Sequence, residues 1–132
     1  MRRSLLALLL IAGCAAPSGV EVSGCGPDFQ NATVVVTQRG GRDERPIPIE
    51  CMHEIGVRRI RIGFTLPGGP ECLQLRRVVL GESADAVAVT LIGAVNDDRA
   101  AGACPDESTP AVTEVDLAAP ISDRLLLDAS GG

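Results

Sequence analysis

Apolar and polar side chains alternate along most of the chain after residue 30, which is the pattern of β-strands that bury one face. Residues 56–66 show the alternation most clearly, because Ile60, Ile62, Phe64 and Leu66 share one face. The other face carries Arg59, Arg61 and Thr65. This segment is therefore predicted to be an amphipathic strand whose apolar face lies against a core.

The same reasoning predicts further strands over residues 33–38, 47–51, 72–80, 86–95, 112–117 and 124–128. Residues 47–51 are predicted to lie at a sheet edge because of Pro46 and Pro48. The nearly unbroken apolar run of residues 86–95 indicates a central strand. A bulge near Arg77 would keep the apolar residues of 72–80 on one side. Seven or eight short strands with regular turns predict an all-β domain, either a β-sandwich or a Greek-key barrel.

The first residues follow a different pattern. Arg2 and Arg3 precede an apolar run over residues 5–11, and small residues then lead to Cys14. A basic start, a short apolar run and small residues are the features of a secretory signal peptide. The run is shorter than the roughly 20 apolar residues that cross a bilayer. It therefore predicts export, by the general secretory or the twin-arginine route.

The segment Ile11-Ala12-Gly13-Cys14 resembles the lipobox of bacterial lipoproteins. The resemblance implies cleavage before Cys14 and attachment of a diacylglyceryl group to its thiol, so that fatty acyl chains such as palmitate anchor the protein to the cell membrane. It divides the chain into a signal peptide (1–13), a lipidated tether (14–24) and a single β domain (25–132). The alternative is an ordinary signal peptide beside an incidental cysteine.

Four further cysteines remain: Cys25, Cys51, Cys72 and Cys104. An even number in an exported domain predicts two disulfides. Three pairings are possible, and the sequence does not distinguish them. We favour Cys25–Cys51 and Cys72–Cys104. Each of these would close a loop of about 30 residues, worth roughly 3.5 kcal/mol in the chain-entropy model.

Several motifs lie between residues 57 and 129: Cys72-Leu-x-Leu, Val78-Val79-x-Gly-Glu-x-Ala-Asp85-x-Val-x-Val-Thr, Cys104 and Ala119-Pro120-Ile-x-Asp-Arg124. Together they resemble a pattern in small actinobacterial lipoproteins and secreted proteins of unknown function. The resemblance implies a β domain and supports the pairing of Cys72 with Cys104. It implies no activity.

Charge and composition restrict the partners. The net charge is −5, and removal of Arg2 and Arg3 leaves ten arginines against 17 acidic residues, or about −7. An acidic surface disfavours nucleic acid. The chain has no Trp or Tyr, so it lacks the aromatic faces on which glycans and single-stranded nucleic acids stack. We expect no nucleic-acid partner, a membrane partner through the lipid anchor, and a possible protein partner in the cell envelope.

A Pro-Gly turn over residues 67–70 predicts that the strands on either side pair as a hairpin. Arg59, Arg61 and Arg76 would then share an outward face, as a candidate patch for lipid phosphates or wall polyanions. The alternative, which we favour, is a solvated face whose charges are balanced by neighbouring Asp or Glu residues.

Two candidate metal sites are weaker. Cys51-Met52-His53 places three potential copper ligands in a row, but adjacent residues on a strand point to opposite faces. The polar loop over residues 96–110 offers oxygen ligands for Ca²⁺ from Asp97, Asp98, Asp106 and Glu107, without the spacing of an EF-hand. We expect a solvated loop, no bound metal and no other cofactor.

No set of residues indicates catalysis. His53 is the only histidine, and no nucleophile motif accompanies it. Our leading interpretation is a non-enzymatic lipoprotein outside the cytoplasmic membrane, with a structural or protein-interaction role at the cell envelope. The alternative is a small-ligand or metal-binding accessory module, which predicts a concave pocket between the sheets.

Overall fold

The computed structural model describes residues 18–96, 104 and 107–131. Within them lie a 3-10 turn over Pro27–Phe29 and nine strands: β1 (Val20–Glu21), β2 (Thr33–Val34), β3 (Arg42–Ile47), β4 (Ile49–Gly56), β5 (Arg59–Pro67), β6 (Leu73–Glu82), β7 (Ala86–Val95), β8 (Ser108–Asp116) and β9 (Leu125–Asp128). The strands form two sheets with a shared core, so the predicted all-β sandwich is confirmed.

Strand β7 organises the larger sheet, which we call sheet A. One edge of β7 pairs with β6 along almost its whole length. The other edge is divided: β9 runs parallel to the first half of β7, and β3 runs antiparallel to the second half. Strand β1 adds to β9. The prediction that residues 86–95 form a central strand is confirmed.

The smaller sheet, sheet B, has the order β2-β8-β5-β4. The inward face of β5 is the one predicted from the alternation, and its side chains Ile60, Ile62, Phe64 and Leu66 are at most 1% exposed. They pack against Val87, Val89 and Leu91 of β7, which are 0% exposed. Burial of these apolar side chains between the sheets is the main force that holds the sandwich together.

The predicted hairpin between residues 56–66 and 72–80 is wrong. Strand β5 lies in sheet B and β6 in sheet A, so the turn that begins at Gly68 carries the chain from one sheet to the other. The reason is that β4 and β8 already occupy the two edges of β5. The turn at residues 82–85, by contrast, joins β6 and β7 as a hairpin, and the predicted bulge in β6 lies between Leu75 and Arg77.

Two other predicted strands are altered. Residues 33–38 begin as β2, but Gln38 donates its N–H to the Leu75 carbonyl of sheet A at 2.8 Å, so the segment crosses between the sheets. Residues 47–51 are divided at Pro48, which separates β3 in sheet A from β4 in sheet B. Both β3 and β4 are edge strands, as the prolines predict.

The N-terminal segment, residues 18–41, is a belt around the sandwich. It starts with β1 on sheet A, and Ser23 then accepts a hydrogen bond from the Met52 N–H of sheet B at 3.0 Å. It continues past Phe29 to β2 and reaches β6, where the buried Gln74 amide donates to the Arg39 and Gly40 carbonyls. Since β1 starts at Val20, the folded part begins before residue 25, where the sequence placed it.

Both favoured disulfides are present. Cys25 is joined to Cys51, which fastens the belt to β4. Cys72 is joined to Cys104, which connects the start of β6 to the segment between β7 and β8. The two bonds therefore restrain parts of the chain that the regular strand pairing leaves outside the sheets.

Gly63 of β5 lies in close contact with the belt. A Cβ atom at this position would lie 2.4 Å from Sγ of Cys51, 3.0 Å from Cδ1 of Phe29 and 3.2 Å from Sγ of Cys25. The absence of a side chain therefore lets the disulfide and the Phe29 ring cover the outer face of β5.

We expect Gly63→Ala to lower the free energy of unfolding by about 1–3 kcal/mol, because the added methyl group must displace the disulfide. Thermal unfolding of the oxidised protein, followed by circular dichroism, measures this loss. Gly26→Ala is the matched control, since a Cβ at Gly26 meets nothing within 4 Å. Equal melting temperatures for the two variants would contradict the proposed packing.

Candidate functional site

The arginines of the predicted anion patch are paired with acidic residues. On the outer face of sheet B, Arg59 and Arg61 lie opposite Asp116 and Glu114 of β8. Arg59 Nη1 donates to Asp116 Oδ1 at 2.7 Å, and Arg61 Nε donates to Glu114 Oε2 at 3.0 Å. The structure therefore favours a solvated face with balanced charges over an anion site.

Arg76 does not join this group, because it lies on β6 in the other sheet. Its Nε is 3.7 Å from Glu44 Oε2, and Arg77 Nη2 is 3.0 Å from Glu44 Oε1. The candidate patch Arg59, Arg61 and Arg76 was a consequence of the predicted hairpin, and it is corrected together with the hairpin.

These ion pairs affect the acidity of the groups involved. Hydrogen bonds from Arg61 and then Arg59 lower the pKa of the Glu114 carboxyl, against a smaller opposing effect of burial. The hydrogen bond that Arg59 donates to Glu114 is also the main cause of the raised pKa of Arg59. Both shifts favour the charged forms, as expected for groups that pair with each other.

A more buried ion pair joins Glu82, at the end of β6, to Arg124, just before β9. Arg124 Nη1 lies 3.0 Å from Glu82 Oε1, and the Arg124 side chain is only 6% exposed. Arg124 also donates to the carbonyls of Ser83 and Ala119, at 3.2 and 2.8 Å. The pair thus holds the β6–β7 hairpin against the connection between β8 and β9.

Glu82 has a second partner in that connection, since its Oε2 accepts the Ala118 N–H at 2.8 Å. This backbone hydrogen bond is the largest cause of the lowered pKa of Glu82, ahead of the contribution of Arg124. The sequence analysis missed the pair, although both residues belong to the motifs quoted above. Their separation along the chain gave no signal that they meet.

His53 and its neighbours on β4 are not arranged as a copper site. Its Nδ1 accepts the Cys25 N–H at 3.4 Å, and its neighbour Cys51 is held in a disulfide and so offers no thiolate. Met52 is 1% exposed and belongs to the core, on the opposite face of β4. Within the described part of the chain, no three His, Cys, Asp or Glu residues are placed to hold a metal ion.

A groove of about 440 Å³ opens at one end of the sandwich, between the sheets. It lies where β4 has not yet begun: β4 first pairs with β5 at Phe64, so the last residues of β5 have a neighbour only in β8. On the side of sheet A the groove is bounded by the end of β3 and by Pro48. The early departure of β3 from sheet A therefore creates the opening.

The walls of this groove are largely apolar. They include Ile47, Leu73, Val95 and three prolines, Pro46, Pro48 and Pro67. The Cys72–Cys104 disulfide forms part of the boundary. Arg45 is the one charged residue among those that line the groove in the described structure. The volume is within the range of small-molecule pockets.

Several predicted site residues fall outside the described part of the chain. They are Cys14, the proposed lipidation site, and the loop residues Asp97, Asp98 and Asp106. Glu107 of the same loop is described, and it is exposed. Over residues 18–96, 104 and 107–131, no helix is long and apolar enough to cross a membrane.

Comparison of the chain with protein-family models, with curated proteins and with solved structures found no match. The resemblances to a lipobox and to small actinobacterial proteins therefore stay predictions. The function of the candidate sites therefore has to be inferred from their geometry.

We expect Glu82→Gln to lower the free energy of unfolding at pH 7 by about 3 kcal/mol, because it leaves the buried Arg124 guanidinium without its counter-charge. Chemical denaturation measures this loss. Glu50→Gln is the control, since Glu50 is an exposed residue of β4.

The same variant changes the response to acid. The pKa of Glu82 is lower in the folded protein than its ordinary value of 4.5. Its carboxylate therefore stabilises the fold above that pH, and the contribution is lost as the pH falls through the folded pKa. The melting temperature of Glu82→Gln should fall less below pH 4.5 than that of the wild type. Parallel curves would show that the charge of the Glu82 carboxylate does not stabilise the fold.

Proposed function

We propose that the protein is a lipoprotein held outside the cytoplasmic membrane by acyl chains on Cys14, and that its β domain is a non-enzymatic module displayed at the cell envelope. The observation that carries the proposal is the order of the leader: a basic start, a short apolar run, and Ile11-Ala12-Gly13-Cys14. Two acyl chains suffice for stable anchoring, where one is marginal.

The disulfides support the location. Cys25–Cys51 and Cys72–Cys104 account for all the cysteines after Cys14. Disulfides of this kind persist in oxidising compartments outside the cytoplasm and are rare inside it. A domain that contains two disulfides therefore fits a protein that is exported from the cytoplasm.

The position of β1 supports a short distance between domain and membrane. Val20 already pairs with Asp128, so at most about six residues separate a lipid on Cys14 from the sandwich. Even fully extended, such a tether reaches only about 20 Å. The domain would therefore be held close to the bilayer, with restricted freedom to turn.

An apolar edge supports the interaction role. Val34 and Val36, in the part of the belt that crosses between the sheets, are 57% and 69% exposed. Val36 borders a hollow of about 410 Å³ with Val78 and Val115. Strand β2, which contains Val34, lies at the end of sheet B. An edge strand with exposed apolar side chains is a natural place for a protein partner.

A second candidate function is small-ligand binding, and the groove beside Pro48 is the observation that favours it. A concave, largely apolar site with one charged residue among its described walls can both enclose and orient a small molecule. This candidate does not depend on which protein, if any, contacts the β2 edge.

Labelling of growing cells with an alkyne fatty acid tests the anchor. We expect the wild-type protein to incorporate the label and to enter the membrane fraction, and Cys14→Ser to do neither, because serine offers no thiol for the glyceryl thioether. Cys25→Ser is the control for cysteine loss in general and should still be labelled. Equal labelling of the wild-type and Cys14→Ser proteins would contradict the proposal.

A photo-crosslinking amino acid in place of Val36 tests the interaction role in intact cells. We expect a reproducible crosslinked protein, because Val36 lies on the exposed apolar edge. The same amino acid in place of Val57, which is 71% exposed on the β4–β5 turn, is the matched control. An identical set of crosslinks from both positions, or none from Val36, would remove the β2 edge as the interface.

A further inference from the structure

The groove at the end of the sandwich contains an unusual combination of features. Its walls are aliphatic side chains, prolines and a disulfide, and its charged residue is Arg45. No Phe, Tyr or Trp side chain contributes to the walls in the described structure. Aliphatic walls without aromatic faces suit a flexible hydrocarbon chain better than a planar ring, which gains from stacking.

Arg45 differs from the arginines described above. Five of those are paired: Arg59, Arg61, Arg76, Arg77 and Arg124. Over the described residues, by contrast, no acidic side chain forms an ion pair with Arg45. An unpaired cation beside an apolar groove, in a protein of net charge −5, is complementary to a ligand with an anionic end.

The backbone directs Arg45 towards the groove. Arg45 and the buried Ile47 stand two residues apart on β3, so their side chains leave the same face of sheet A, the one that faces sheet B. Ile47 enters the core at 2% exposure, whereas Arg45 remains exposed. The groove therefore has an apolar inner end at Ile47 and a charged opening at Arg45.

We propose that this groove binds a free long-chain fatty acid, with its hydrocarbon chain along the apolar walls and its carboxylate paired with the Arg45 guanidinium. The inference rests on the second candidate function, small-ligand binding, and not on lipidation of Cys14. The carboxylate supplies a counter-charge for Arg45, which has no acidic partner among the described residues. The chain covers Pro46, Pro48 and Pro67, which line the groove and are exposed.

The test uses the purified mature chain with Cys14→Ser, so that no acyl chain of its own is present, and isothermal titration with two probes of equal chain length. Dodecanoate carries a negative head and dodecyltrimethylammonium a positive one. We expect dodecanoate to bind about tenfold or more tightly than the cation, as one charge-assisted hydrogen bond allows. Affinity should also fall from dodecanoate to octanoate, because fewer methylene groups are buried.

Arg45→Gln should weaken dodecanoate binding about tenfold and leave the cation unaffected. Arg58→Gln, on the turn between β4 and β5, is the charge-matched control and should change neither affinity. Thr65→Trp, which adds bulk to a residue that lines the groove, should weaken both probes. Melting temperatures of all variants establish that each is folded.

Equal binding of the two probes, no binding of dodecanoate, or an equal loss in Arg45→Gln and Arg58→Gln would overturn the proposal. Binding by the Cys14→Ser chain but not by the lipidated chain would also overturn it, since the protein's own acyl chain would then be the occupant. These titrations do not depend on fatty-acid labelling at Cys14. The proposal of a lipid anchor and the proposal of a fatty-acid groove can therefore be contradicted separately.

Discussion

The two edges of β7 impose the constraint on which the rest of the sandwich depends. Strand β6 takes one edge along almost its full length, and the other edge has to serve both β9 and β3. Neither β9 nor β3 can extend without displacing the other. The chain that leaves β3 at Ile47 must therefore leave sheet A, and it continues as β4 in sheet B.

The residues at this change of sheet fit the geometry. Pro48 has no N–H, so it loses nothing where no strand is beside it. Ile49 is buried, and its N–H is satisfied by Asp128 Oδ2 at 3.1 Å, while Ser130 Oγ donates to the Ile47 carbonyl at 3.1 Å. The end of β9 thus supplies the hydrogen bonds that a neighbouring strand would otherwise supply. The proposed fatty-acid groove opens beside this point, because β3 ends there and β4 begins in the other sheet.

Among the described residues, the arginines on the outer faces and connections are mostly paired with acidic side chains. Most arginines that could form an outward patch have an acidic partner, either across the strands of one sheet, as Arg61 has Glu114, or between connections, as Arg124 has Glu82. Arg45 has no acidic partner among the described residues, and it is of interest because it lines an apolar groove.

Local patterns in the sequence predicted the all-β class, the inward face of β5, the central position of β7, the bulge in β6 and the edge character around Pro48. These features follow from the two-residue period of a strand and from the missing N–H of proline, which act within a few residues. The sequence left three disulfide pairings open. The favoured one matches the structure because the belt lies over β4 and the start of β6 lies near the segment after β7.

Which strands are neighbours follows from long-range packing and not from local sequence patterns. The turn after Pro67 looked like a hairpin, but pairing depends on which edges are free, and β4 and β8 had filled those of β5. For the same reason the sequence did not predict the Glu82–Arg124 pair or the groove beside Arg45. Both arise where segments distant in the chain meet, and the free energy that brings them together comes from burial of the shared core rather than from any local preference.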